Sequence, residues 1–146
     1  DDLKGAVAVV TGAGSGIGLA TALAFLESGV AVVGVGRSRE KLDALTKAAG
    51  SHAANVATLA IDVTLDDAPA KCVALAISRF GRLDYLINNA GVGSPKPVHE
   101  TDDALLDGML GLMLRAPFRL TRQALTVMKS GSSIVNVCSG RAESRQ

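Results

Sequence analysis

The sequence has 146 residues, which is enough for one domain with a sizeable core, and we expect a single domain over 1–146. Its formal net charge of +1 gives no electrostatic reason to expect a nucleic acid or an anionic membrane surface as a partner. No apolar run approaches the about 20 residues that a membrane span needs, and no signal peptide pattern is present. We therefore expect a cytoplasmic protein.

Possible metal ligands are scattered along the chain. Cys72 and Cys138 form no CxxC pair, and His52 and His99 are equally isolated. Metal sites in proteins need clustered ligands. We therefore expect no metal site, and we expect both cysteines to be reduced and packed.

Five short apolar runs alternate with longer segments of helical periodicity. The runs are continuously apolar, which is typical of strands that helices cover on both faces. The predicted strands are 6–10, 30–35, 56–61, 83–87 and 133–137.

The segments between these runs predict four helices. They are predicted at 17–28, at 39–49, from residue 64 onward, and near 102–129. Thr64 is followed three residues later by Asp67, which resembles a capping box at the start of the third helix. Regular alternation of strands and helices implies right-handed parallel crossovers. The fold class is therefore α/β, with a doubly wound parallel sheet.

A glycine-rich segment joins the first predicted strand to the first predicted helix. Residues 11–18 read TGAGSGIG, a G-x-x-x-G-x-G spacing with an additional Gly14. Glycine lets the backbone approach a phosphate closely, and the following helix directs its N–H groups toward that anion. In this position the segment predicts a dinucleotide-binding turn of the Rossmann type. The alternative is a tight loop whose glycines only allow strand and helix to pack.

Four segments in this order resemble the short-chain dehydrogenase/reductase family. They are TGAGSGIG at 11–18, Asp62-Val63, NNAG at 88–91 and GSSIVNV at 131–137. The resemblance extends from the first strand to the end of the fifth. It implies five strands in the order 3-2-1-4-5, with the C-terminal part of the fold missing.

The end of the second predicted strand carries Arg37 and Ser38 and has no acidic residue. In dinucleotide folds an acid at this position binds the ribose of NAD, whereas an arginine accepts the additional phosphate of NADP. Arg37 can form charge-assisted contacts with that phosphate, helped by the Ser38 hydroxyl. We therefore predict NADP(H) in preference to NAD(H), the alternative being that Arg37 is an ordinary solvated charge.

The resemblance implies the remaining cofactor contacts. Asp62 is expected to bind the adenine amino group, with Val63 against the adenine ring. The alternative is that Asp62 has only a structural role in the segment that leads to the next helix, before Thr64. Asn88 is expected to support the central strand. The predicted cofactor-binding residues are Gly12, Ser15, Gly16, Ile17, Gly18, Arg37, Ser38, Asp62, Val63, Asn89, Ala90 and Gly91.

Members of this family use a tyrosine as the acid, a lysine four residues later and a serine that polarises the substrate oxygen. Ser139 matches that serine, the alternative being a turn serine before Gly140. The only tyrosine, Tyr85, is followed four positions later by Asn89 rather than lysine. We therefore expect the Tyr-x-x-x-Lys segment to lie beyond the last residue of this sequence.

The fourth predicted helix departs from the family pattern, because Met113 stands where an asparagine is usual. The family's proton relay uses the backbone carbonyl at that position. Pro117 has no N–H, so the carbonyl of Met113 loses its helical donor and remains available, and the helix should kink there. The alternative, that Met113 is a core residue, is compatible with this role.

These observations favour an NADP(H)-dependent oxidoreductase that acts on a small-molecule alcohol/carbonyl pair. The resemblance implies a homodimer or homotetramer for the complete protein. Two alternatives remain. One is a catalytically inactive NADP(H)-binding sensor or scaffold, and the other is a partial fold that a second chain completes at the edge of the fifth strand. The generic segment 93–97 does not identify a substrate.

Overall fold

A single parallel sheet of five strands organises the molecule. The computed structural model describes residues 3–89 and 96–137. The strand order is β3-β2-β1-β4-β5, and every pairing is parallel, which confirms the predicted topology. The strands are β1 (Val7–Thr11), β2 (Ala31–Gly36), β3 (Val56–Ala60), β4 (Tyr85–Asn88) and β5 (Ser133–Asn136).

Helices pack on both faces of the sheet, but β5 is largely exposed, so the predicted cover on both faces is wrong for this strand. The helices are α1 (Gly16–Glu27), α2 (Arg39–Ala48), α3 (Ala68–Phe80), α4 (Asp103–Leu110) and α5 (Ala116–Ala124). A π-helical segment, Gly111–Arg115, joins α4 to α5, and short 3₁₀ helices occupy Gly50–Asn55 and Val98–Glu100.

The central strand β1 contributes to two separate cores. Ala8 and Val10 pack with residues of α1 and α2 on one face, and both are 0% exposed. Val7 and Val9 pack with residues of α3 and α5 on the other face. This burial on both faces explains why β1 is apolar at successive positions rather than at alternate ones.

The third helix begins later than predicted, and the predicted capping box is wrong. The N–H and hydroxyl of Thr64 donate hydrogen bonds of 2.9 and 2.7 Å to Oδ1 of Asp62, so Thr64 belongs to a turn after β3. Helix α3 starts at Ala68, with Pro69 in its first turn. Proline is tolerated there because the first N–H groups of a helix have no intrahelical acceptor.

The predicted helix near 102–129 is divided and ends earlier. The N–H of Ala116 donates to the carbonyl of Gly111, five residues back, in the π-helical segment that precedes Pro117. A π-bulge of this kind interrupts the regular i→i−4 ladder. Met113 lies in this segment with 54% of its surface exposed, so the alternative that it is a core residue is wrong.

Candidate functional site

The glycine-rich turn and the end of β4 are joined by hydrogen bonds. The N–H of Asn89 donates to Oγ1 of buried Thr11 at 2.9 Å, and this hydroxyl donates to the carbonyl of Ile87 at 3.4 Å. Nδ2 of Asn89 also donates to the carbonyl of Gly12 at 3.4 Å. Parallel pairing of β1 and β4 therefore brings two motifs together that lie far apart in the sequence.

The glycines of this turn have two different physical roles. Gly12 and Gly16 have φ angles of +64° and +56°, which other residues rarely adopt. Gly18 is required for close packing. A Cβ at Gly18 would lie 1.9 Å from the carbonyl oxygen of Gly12 and 2.6 Å from Nδ2 of Asn89.

The amino end of α1 is suited to an anion. Its N-cap residue, Ser15, forms no side-chain cap, and its first turn contains no acidic residue. Helices α2 and α4 differ, because the side chains of Ser38 and Asp102 cap them. The first N–H groups of α1 therefore have no side-chain acceptor and fit the phosphates of a dinucleotide. Ile17, next to these groups, is 62% exposed.

A cleft of about 620 Å³ lies between the ends of the strands and α4–α5. Its lining residues are Arg37, Asp62, Thr64, Asp66, Ala104, Leu105, Asp107, Gly108, Met109, Gly111, Leu112, Arg115, Ala116 and Arg119. An ion pair of 2.9 Å between Arg119 and Asp66 crosses from α5 to the turn before α3.

Asp62 is held in an ionised, oriented state in this cleft. The Thr64 hydroxyl and the Thr64 N–H lower the pKa of the carboxyl, burial partly opposes them, and the charge of Arg37 lowers it further. Both hydrogen bonds from Thr64 use Oδ1. A carboxylate at this position is suited to accept a hydrogen bond from an amino group.

The two arginines around the start of α2 have different surroundings. Arg39 donates to Oγ1 of Thr58 and pairs with Asp43 at 3.4 Å. Arg37 lines the cleft, and no ion-pair partner for it occurs in 3–89 or 96–137. The hydroxyl oxygen of Ser38 accepts the N–H of Lys41 at 3.2 Å as the cap of α2.

A polar network surrounds the buried side chain of Asn88, the only one of its three members that the sequence analysis named. Nδ2 of Asn88 donates to Oδ1 of Asn136 at 3.0 Å and to Oγ1 of Thr121 at 3.4 Å. Asn88 and Asn136 are directly paired across β4 and β5, and Thr121 comes from α5. Only this register indicates that Asn136 belongs with Asn88.

Four residues about which the sequence analysis makes a prediction have no described structure. Ala90, Gly91, Cys138 and Ser139 lie outside the described residues. Cys72 is a free, buried cysteine, and burial raises the pKa of its thiol to about 12, so the thiol stays protonated at neutral pH. Over the described part of the chain, no cluster of three potential metal ligands and no helix capable of crossing a membrane is found.

Sheet order and glycine turn together define a Rossmann-type dinucleotide-binding fold. A family model for short chain dehydrogenases matches residues 6–146. The sequence is also 35% identical over 147 residues to 3-oxoacyl-[acyl-carrier-protein] reductase of Thermotoga maritima, covering 94% of this chain and 56% of that protein. The chain therefore belongs to the short-chain dehydrogenase/reductase family, and it spans little more than half the length of this relative.

Solved structures show the same similarity. A glucose/ribitol dehydrogenase of this family from Brucella melitensis superimposes with a TM-score of 0.91 at 38% identity, over 96% of this chain and 59% of that one. A 3-ketoacyl-(acyl-carrier-protein) reductase from the same organism, solved in complex with NADH, gives a TM-score of 0.87 at 31% identity. That superposition covers 95% of this chain and 60% of that one.

Proposed function

We propose that this chain is the cofactor-binding part of an NADP(H)-dependent oxidoreductase that acts on an alcohol/carbonyl pair. The observation that carries the proposal is the glycine turn, joined to Asn89 and followed by a helix without a side-chain cap. Membership of the short-chain dehydrogenase/reductase family supports it. A nicotinamide bound here would supply or accept the hydride.

The proposed contacts follow the shape of the site. Ser15 and the backbone of the turn hold the diphosphate, and exposed Ile17 lies toward the nicotinamide. Both hydrogen bonds from Thr64 use Oδ1 of Asp62, so the other carboxylate oxygen accepts a hydrogen bond from the adenine amino group. The full proposed set is Gly12, Ser15, Gly16, Ile17, Gly18, Arg37, Ser38, Asp62, Val63, Asn89, Ala90 and Gly91.

Two further residues are proposed to handle the substrate oxygen and its proton. Ser139 orients the substrate oxygen by hydrogen bonding. The backbone carbonyl of Met113 holds a water molecule for proton transfer, because Pro117 cannot donate to this carbonyl. The exposure of Met113 supports access of solvent to this segment.

We also propose self-association as a homodimer or homotetramer. One face of α4–α5 carries Leu106, Leu110, Leu114 and Phe118, whose exposed fractions are 45, 48, 66 and 63%. Several large apolar side chains exposed at four-residue intervals along consecutive helical segments are typical of a protein interface.

Substitution of the two residues at the end of β2, Gly36 and Arg37, tests the preference for NADP(H). A Cβ at Gly36 would meet only Leu42, at 3.6 Å and beyond, so an aspartate fits there. We expect the purified protein to bind NADPH more tightly than NADH, and the double substitution Gly36→Asp/Arg37→Ala to reverse that order. Losing one charge-assisted phosphate contact should weaken NADPH binding about tenfold or more. Nucleotide fluorescence titration measures both dissociation constants.

Arg39→Ala is the matched control, because Arg39 is already engaged by Thr58 and Asp43. This variant should keep the NADPH/NADH affinity ratio of the unsubstituted protein. A ratio that the double variant leaves unchanged would contradict the proposed preference. Failure of the unsubstituted protein to bind either nucleotide would contradict the proposed function itself.

A further inference from the structure

Gly14 is the additional glycine of the turn, and the roles described for the other glycines do not apply to it. Unlike Gly12 and Gly16, it does not have a positive φ angle. A Cβ at Gly14 would instead lie 2.7 Å from Cβ and 3.7 Å from Cα of Lys41. The Cβ of Lys41 is attached directly to α2 and cannot swing away. Gly14 is therefore a glycine because α2 packs against the turn at Lys41.

Lys41 occupies a position that helix stability does not explain. It lies in the first turn of α2, where a cation opposes the helix dipole. Its side chain is exposed, and among the residues that the structure describes its ammonium group has no ion-pair partner. Its long flexible stem leaves α2 directly beside the glycine turn.

The charges around Lys41 leave a local excess of positive charge. Arg37 lies four residues before it and lines the neighbouring cleft. Two acids lie close by in the sequence: Glu40, in the same first turn of α2, and Asp43, which is paired with Arg39 at 3.4 Å. Residues 37–43 therefore carry three cations and two acids. Ser38 follows Arg37 directly, and its hydroxyl oxygen accepts the N–H of Lys41.

We infer that Lys41 is a second phosphate-binding cation, which acts with Arg37 on the 2′-phosphate of NADP(H), and that Gly14 provides the space for it. The inference rests on the proposed function. A phosphate monoester carries a charge of about −1.5 to −2 at neutral pH, so a single arginine leaves much of it unbalanced. A second cation would balance the remaining charge.

Lys41→Met tests the inference, because methionine keeps an apolar stem beside Gly14 and removes only the charge. We expect NADPH to bind about tenfold more weakly and NADH affinity to change less than about twofold. Lys47→Met is the matched control, since Lys47 is an exposed lysine in the last turn of the same helix. Its NADPH and NADH affinities should both remain unchanged.

The outcomes separate this inference from the proposed function. Unchanged NADPH affinity in Lys41→Met, or equal weakening of both nucleotides, would overturn the role of Lys41. Equal affinities in the unsubstituted protein, with selective loss of NADPH in Lys41→Met, would contradict the proposed preference but support Lys41. If the unsubstituted protein binds neither nucleotide, both fail.

Gly14→Ala tests whether the missing side chain of Gly14 is what makes room for Lys41. The added methyl group must displace Lys41, so we expect the same selective loss of NADPH affinity, and adding Lys41→Met should weaken binding no further. Such non-additivity is the signature of two residues that act through one contact. Equal losses for NADH and NADPH in Gly14→Ala would show that Gly14 serves the turn itself, which overturns its assigned role.

Discussion

The carboxylate of Asp84 accepts hydrogen bonds that connect two strands at the amino edge of the sheet. Its Oδ2 accepts the N–H of Val7 at 2.9 Å and Nε of Arg82 at 2.8 Å, and its Oδ1 accepts Nη2 of Arg82 at 2.7 Å. Burial alone would raise the pKa of this carboxyl. The hydrogen bonds and charge of Arg82, together with the Val7 N–H, lower it below its ordinary value. Asp84 therefore ties the start of β1 to the start of β4.

Asp84→Asn should lower the free energy of unfolding by about 1–2 kcal/mol at pH 7, allowing for the solvent exposure of Arg82. Because folding lowers the pKa, the contribution is complete above the unfolded-state value of about 3.9 and is lost as the pH falls through the folded-state value. Urea unfolding at pH 7 and at pH 3 measures both effects. A difference that does not shrink at pH 3 would contradict this account.

Asp43→Asn is the control for this prediction, because Asp43 also pairs with an arginine but its side chain is 69% exposed. Solvent screens such pairs, so its stability should change by less than about 1 kcal/mol. A loss as large as that of Asp84→Asn would indicate that burial and the Val7 contact are not what makes Asp84 important.

At the scale of elements, replacing two helical glycines with alanine should change the stability of the protein in opposite directions. In α1, a Cβ at Gly18 would lie 1.9 Å from the carbonyl oxygen of Gly12, so Gly18→Ala should destabilise the protein by about 1–3 kcal/mol and abolish dinucleotide binding. In α4, a Cβ at Gly108 meets nothing within 4 Å. Gly108→Ala should therefore stabilise the protein by about 0.5–1 kcal/mol.

Thermal unfolding and nucleotide titration of the two variants check this contrast. Both substitutions add the same methyl group within a helix, so helix propensity favours both equally. A Gly18→Ala variant that is as stable as the unsubstituted protein would show that α1 can move away from the turn without cost.

Element boundaries were predicted less well than element types, for local physical reasons. The apolar stripe predicted a helix near 102–129, but apolar spacing does not distinguish an α-helix from one that contains a π-bulge at Gly111–Arg115. Thr64 matched a capping pattern, yet its hydrogen-bonding groups are engaged by Asp62. Competition between a turn and a cap depends on where β3 ends, and composition does not specify that.

At the scale of the whole molecule, the exposed face of α4–α5 predicts assembly. Leu114→Glu and Phe118→Glu place charges on two of its most exposed apolar side chains, so we expect both to shift a dimer or tetramer toward monomer without unfolding it. Multi-angle light scattering after gel filtration measures the mass. Leu65→Glu is the control, a leucine that is 50% exposed outside these helices. A monomeric unsubstituted protein, or variants of unchanged mass, would contradict self-association.

The sequence by itself determined the parallel α/β class and the family, because continuous apolar strands and motifs at strand ends are local features. The strand order followed only from the resemblance to that family. The tertiary structure decided which of these residues meet. The sequence favoured Arg37 for the phosphate by its position at the end of a strand, and the structure shows that Arg37 lines the cleft whereas Thr58 of β3 engages Arg39. Likewise, Gly14 matters through Lys41, a residue of the next helix. Packing between distant segments creates these differences, and no local pattern records them.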